Sequence, residues 1–233
     1  MKTWMKFCLM AVALPTLLLT SACEDDDDDV MTMDQKANVM VVHASPNAPS
    51  VDLYVDGTKA NTAALAYPRN TGYLQVQAGT RNVKVTPAGA SATNAVIDAN
   101  LTLAANMNYS VFAAGPVTGI SALVVEDNLA APAAGKAHVR FFHLSPDAPR
   151  VDVVVQGGGD LFSDIEFKEA TAFTPVNAGS YTLLVQPVNT NTNAVTATVN
   201  LEAGKIYTIF AKGFLNPPSG NTNTLGAEVI VNK

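Results

Sequence analysis

His43-Ala44-Ser45-Pro46-Asn47-Ala48-Pro49-Ser50-Val51-Asp52 returns one hundred residues later as His143-Leu144-Ser145-Pro146-Asp147-Ala148-Pro149-Arg150-Val151-Asp152. Outward from these decapeptides the correspondence continues. Ala78-Gly79 reappears as Ala178-Gly179, Pro87 as Pro187 and Leu101 as Leu201. Beyond that the offset drops to 98, with Tyr109, Phe112 and Gly115 answered by Tyr207, Phe210 and Gly213, which fits a shorter turn at 203–205. Long self-similarity at a fixed interval is the signature of tandem units. Copies of roughly 95 residues are large enough to bury cores of their own. We therefore expect a first copy at 37–127, a linker at 128–135 containing Pro132 and Gly135, and a second copy at 136–233.

Within each copy the hydrophobic pattern has period two. Val51, Leu53 and Val55 alternate with Asp52, Tyr54 and Asp56, and Val151, Val153 and Val155 repeat the arrangement. Further alternating runs are Ile97-Ala99-Leu101-Leu103, Tyr109-Val111-Ala113, Val195-Ala197-Val199-Leu201 and Tyr207-Ile209-Ala211. Turn residues such as Asp56-Gly57 and Ala78-Gly79 punctuate them. Six or seven short alternating strands per copy predict an all-β protein made of two tandem immunoglobulin-like antiparallel β-sandwiches. The Cys…Trp…Cys hallmark of antibody domains is missing, since the sole tryptophan is Trp4.

The decapeptide carries most of the information. Pro46 and Pro49 fix their own φ angles and push Ser45 and Ala48 towards extended backbone. Pro146 and Pro149 do the same in the second copy. Ser45 and Asn47 are short enough to bond nearby backbone, Asp52 is expected on the outward strand face accepting bonds from the loop, and His43 closes the strand before it. His43, Ser45, Pro46, Pro49 and Asp52, with His143, Ser145, Pro146, Pro149 and Asp152, are thus expected to form a repeated structural turn. These residues resemble the domain of unknown function 4397 family, found in bacterial envelope and secreted proteins. The resemblance covers 37–127 and 136–233, supported by the stretch from Tyr109 to Gly115. It implies an extracytoplasmic β-domain and brings no catalytic residues.

A histidine near a serine and a carboxylate invites a hydrolase reading. However, Ser45 is followed by proline, no strand–turn elbow presents its oxygen, and the pattern occurs twice with its residue types intact. No catalytic residue is therefore expected. Nor is a metal: each copy offers one motif histidine and one carboxylate, whereas zinc takes three or four ligands, and His138 is Asn38 in the other copy. No cofactor is expected either. Tyr54, Tyr67 and Tyr73 are the aromatic candidates for a glycan platform.

The N-terminus reads as an address. Lys2 and Lys6 precede an apolar run from Phe7 to Leu19 and the small residues Thr20-Ser21-Ala22, the pattern of an export signal over residues 1–22. Leu19-Thr20-Ser21-Ala22-Cys23 resembles the lipobox of bacterial lipoproteins, with Thr20 departing from the usual aliphatic residue. The resemblance implies acylation of Cys23, palmitate included, and two or three chains anchor stably where one is marginal. Glu24 and Asp25–Asp29 follow at once, and like charges at that density hold residues 23–36 as an extended tether. The run resembles the surface-export signal of lipoproteins in some Gram-negative bacteria. Over the whole chain 14 basic residues face 20 acidic ones, giving −6, which argues against nucleic acid as a partner. The expected protein is a non-enzymatic, lipid-anchored cell-envelope component at the outer membrane, binding envelope proteins or extracellular polymers. A glycan- or small-ligand-binding module is the second reading and a hydrolase the third.

Overall fold

The computed structural model describes residues 35–233, so the expected signal segment, Cys23 and the acidic run lie outside the described residues. The first copy contributes β1 (Lys36–Ala44), β2 (Val51–Val55), β3 (Thr58–Lys59), β4 (Asn70–Gln77), β5 (Gly79–Pro87), β6 (Ile97–Leu103), β7 (Asn108–Ala114) and β8 (Ser121–Glu126). The second contributes β9 (Lys136–His143), β10 (Val151–Val155), β11 (Asp160–Ile165), β12 (Thr174–Asn177), β13 (Gly179–Pro187), β14 (Val195–Leu201), β15 (Ile206–Lys212) and β16 (Gly226–Val231). Lys36, placed in the tether by sequence, already pairs with Gln77.

Four sheets of four strands result, in the orders β4-β1-β7-β8 and β3-β2-β5-β6, then β12-β9-β15-β16 and β11-β10-β13-β14. The duplicated sequence is thus a duplicated pair of sheets. In the first sandwich Val39 and Val41 of β1, Leu53 of β2, Val83 and Val85 of β5, and Val111 of β7 fill the space between sheets. Val139, Phe141, Val153, Leu183, Val185 and Ile209 do so in the second. Because side chains alternate across a strand, these are the alternate apolar positions visible in the sequence.

Pairing is antiparallel with two exceptions: β1 runs parallel to β7, and β9 parallel to β15. The decapeptide is the reason. Its turn delivers the chain from β1 in one sheet to β2 in the other, so β1 never makes a hairpin with its successor. β7 reaches β1's side only after a long excursion through both sheets, as parallel neighbours require.

A third apolar cluster lies outside both sandwiches. Met40, Val42 and Ala44 of β1 and Phe112 and Ala114 of β7 pack against Phe142, Leu144, Phe210 and Ile230 of the second copy. Phe112 and Phe142 stack with ring centroids 4.4 Å apart, and Phe210 meets Phe112 edge-on at 6.1 Å. The central strands β1, β7, β9 and β15 are therefore buried on both faces. That accounts for the unbroken run Val39-Met40-Val41-Val42 where a half-exposed strand would alternate with polar residues.

Candidate functional site

The two decapeptides fold alike. His43 is fully buried; its Nε2–H donates to the Pro49 carbonyl at 2.9 Å, while Nδ1 accepts the Ser45 backbone N–H at 3.4 Å. His143 makes the same bonds to Pro149 and Ser145 at 2.8 and 3.4 Å. A carbonyl can only accept, so the tautomer is fixed in both copies. Ser45 and Ser145 are also fully buried, and their hydroxyls take no hydrogen bond within the chain. The histidine nitrogens that a nucleophilic serine would need are already engaged with backbone.

Burial pushes both imidazoles below the ordinary histidine range, with the proline carbonyls pulling partly back. An unfolded chain takes up these protons below pH ~6.5 while the folded chain still refuses them. Stability is then full above that pH and falls as pH drops towards the depressed folded values. The expected slope is at most about 1.4 kcal/mol per pH unit for each imidazole. Urea unfolding at pH 7.5 and 5.5 measures it, and equal stability at the two values would contradict this burial.

Asp52 lies 2% exposed, and its bonds come from other segments than the loop expected to supply them, which is a correction. Oδ2 accepts the Gly89 N–H at 2.8 Å, and Lys59 Nζ sits 2.9 Å from Oδ1. The Gly89 amide, then Lys59, hold its carboxyl below the usual carboxylate range. Its partners come from β3 and from the β5–β6 connection rather than from the decapeptide itself. Asp152 is more open and accepts the Asp164 N–H at 2.8 Å.

Position 47 clamps the next loop along. Asn47 Oδ1 accepts the Val117 N–H at 2.8 Å, and Asp147 accepts from the Leu215 and Asn216 amides, each at 2.7 Å. The second copy's loop is longer and reaches across to the first motif. There Asn221 Nδ2 and Asn223 Nδ2 both donate to the Pro46 carbonyl, at 3.0 and 2.6 Å. Gly213 opens that loop at φ +77°, and a Cβ there would lie 2.1 Å from the Thr224 carbonyl oxygen, which explains why this glycine recurs with Gly115.

Between the copies runs a polar network that sequence reading missed. Arg140 Nη1 lies 2.6 Å from Asp127 Oδ1, with both side chains almost wholly buried. Arg140 Nε donates to Thr208 Oγ1 at 2.8 Å and Nη2 to Ser110 Oγ at 3.2 Å. Ser110 and the Tyr73 hydroxyl each donate to Asp127 Oδ2 at 2.6 Å. Thr208 donates to Asn232 Oδ1 at 2.7 Å, and Asn232 Nδ2 to the Tyr73 oxygen at 3.1 Å. The guanidinium also lies over the Phe173 ring at 4.3 Å. Asp127 and Asn232 are structural counterparts, since their amides bond to the carbonyls of Asn108 and Ile206 at the starts of β7 and β15. The available signal was two opposite charges, Asp127 just after β8 and Arg140 amid the apolar stretch of β9, on either side of the linker.

The tyrosines offer no open platform. Tyr73 is spent on the network, where burial and then Asp127 raise its phenol strongly. Burial pushes the Tyr67 phenol up to about 12, and its ring meets His43 edge-on at 5.9 Å. Tyr54 is half-buried and donates to the Ala90 carbonyl at 3.2 Å. Among the described residues no group of three or more His, Cys, Asp or Glu side chains could hold a metal ion, and no helix is long and apolar enough to cross a membrane.

These features define a class: paired β-sandwiches, each opened by a proline-braced histidine turn. A family described as domain of unknown function (DUF4397) matches residues 37–154 and 146–232, and the chain belongs to it. The two matched stretches overlap at the second decapeptide. Among solved structures, a streptococcal virulence factor studied for α-glucan binding is 11% identical, covering 75% of this chain and 92% of its own, with a TM-score of 0.25. A Parabacteroides distasonis protein named for cell adhesion is 10% identical over 85% of this chain and 100% of its own, with a TM-score of 0.22. Likeness at that level transfers no binding property. A search of curated proteins returned no match.

Proposed function

We propose that this is a non-enzymatic cell-envelope protein, anchored to the outer membrane by acyl chains on Cys23, that presents two sandwich modules (37–127 and 136–233, joined by 128–135) to envelope proteins or extracellular polymers. The observation that carries the non-enzymatic reading is the decapeptide geometry. In both copies His43 or His143 is fully buried and both ring nitrogens are bound to backbone. The repeated residues His43, Ser45, Pro46, Pro49 and Asp52, and their second-copy equivalents, serve as braces for the crossing from one sheet to the other. The anchor rests on the resemblance of residues 19–23 to a lipobox and on the acidic run directly after it. Metabolic labelling with an alkyne fatty acid tests it. Label is expected on the wild-type chain and lost in Cys23→Ser, and protease added to intact cells is expected to remove the modules. Label retained by Cys23→Ser would overturn the anchor.

A further inference from the structure

The two copies differ where the edge strands of their paired sheets face each other. In the second copy the chain closes this gap itself, for β11 sets Phe162 opposite Val153 with only 9% of it exposed, and Leu161 packs beside it. In the first copy β3 has two residues, and the position opposite Leu53 is held by Ala60, whose N–H donates to the Leu53 carbonyl at 2.8 Å. Val41 likewise stands where the second copy has Phe141. Two phenyl rings have become a methyl and an isopropyl group. A cleft of about 500 Å³ opens between Val55, Ala60, Leu74 and Val76. Beneath it lies a wholly apolar cavity of about 20 Å³ reaching Val41 and Leu103.

The bordering edges differ too. β12 has four residues and carries Pro175 opposite His138, so it lacks an amide proton there, and proline is a common guard against strand addition. β4 has eight residues, contains no proline, and places Gln75 opposite Asn38 at the same register position. The first copy thus combines a longer, proline-free edge, capped only at its end where Arg81 Nε donates to the Gln77 carbonyl at 3.0 Å, with a cleft of apolar floor and polar rim beside it.

We propose that β4 accepts an extended segment of a partner protein, which adds as a strand and lowers a Phe- or Leu-sized side chain into the cleft over Ala60. The side-chain chemistry is displayed by the second copy, where Phe162 and Leu161 of β11, a strand paired with β10 rather than with β12, fill the corresponding space between the sheets. Main-chain bonds would give affinity and the pocketed side chain specificity, the general economy of strand addition. The rim adds little charge selection, because Lys59 and Arg81 are already paired with Asp52 and Asp56. This inference deepens the binding role proposed above, and its test is independent of the anchor.

The probe is the capped hexapeptide Asp-Leu-Phe-Ser-Asp-Ile, the sequence of β11, titrated into the full chain and followed by amide chemical shifts. Shifts are expected to centre on residues 55–65 and 70–77. Replacing the peptide's Phe by Ala should weaken binding about ten- to a hundred-fold, the worth of burying one large apolar side chain. Ala60→Phe should fill the cleft, raise Tm and abolish binding. Gln75→Pro, which leaves the cleft open but guards the edge, should also abolish it. Equal binding of the Phe and Ala peptides, or shifts centred on β8 or β16, would overturn the proposal. So would peptide binding that survives Gln75→Pro, which would mark a pocket for free apolar molecules, or self-association of the chain through this edge without peptide uptake.

Discussion

Phe112→Ala is expected to cost about 3–5 kcal/mol, the range for removing a fully buried aromatic ring from a packed core. Phe112 is 0% exposed although it projects away from its own sandwich, and it contacts Phe142 and Phe210, which are 1% exposed or less. If the copies were independent beads on a linker, the outer face of β7 would be solvated and the substitution would cost almost nothing. Urea unfolding separates these cases. A single transition shifted to lower denaturant is expected, because the cluster joins both cores into one cooperative body. A loss below 1 kcal/mol would show that the copies do not depend on each other.

Arg140→Met is expected to cost about 3–5 kcal/mol, since removing one member of a buried pair leaves the other charge desolvated and unpaired. The variant strands Asp127, whose remaining donors, Tyr73 and Ser110, are uncharged. The double variant Arg140→Met/Asp127→Asn should recover most of the loss, because an apolar or neutral replacement of both partners is often close to neutral. The duplication itself supplies the template: the first copy has Met40 at the position of Arg140, and the second has Asn232 at the position of Asp127. Stability of the two variants against wild type measures the coupling. A double variant as unstable as the single would show that the network's geometry, rather than its uncompensated charge, sets the energy.

Much of the fold was legible along the chain. Val51, Leu53 and Val55 alternate because only one face of β2 meets the core, and a period of two survives in sequence whenever one face stays polar. Asp56-Gly57 marks its turn because both residues adopt positive φ, +48° and +80°, between the paired residues Val55 and Thr58. The stiffness of the decapeptide backbone was also readable, since proline restricts backbone wherever it stands. The partners of Asp52 were not, because Gly89 lies 37 residues away and is brought near only when β2 pairs with β5. Ala60 likewise looked like any small loop residue until Phe162 showed what its position holds in the other copy.

The sequence by itself determined two all-β units and their strand periodicity, because these depend on local geometry and on a repeat that can be read directly. The tertiary structure alone decided that the units share a buried seam, that β1 runs parallel to β7, and that one sandwich is left open where its twin is filled. Those outcomes depend on which faces meet between segments far apart along the chain. A residue's type records what it can bury, and only the folded neighbours decide what it buries against.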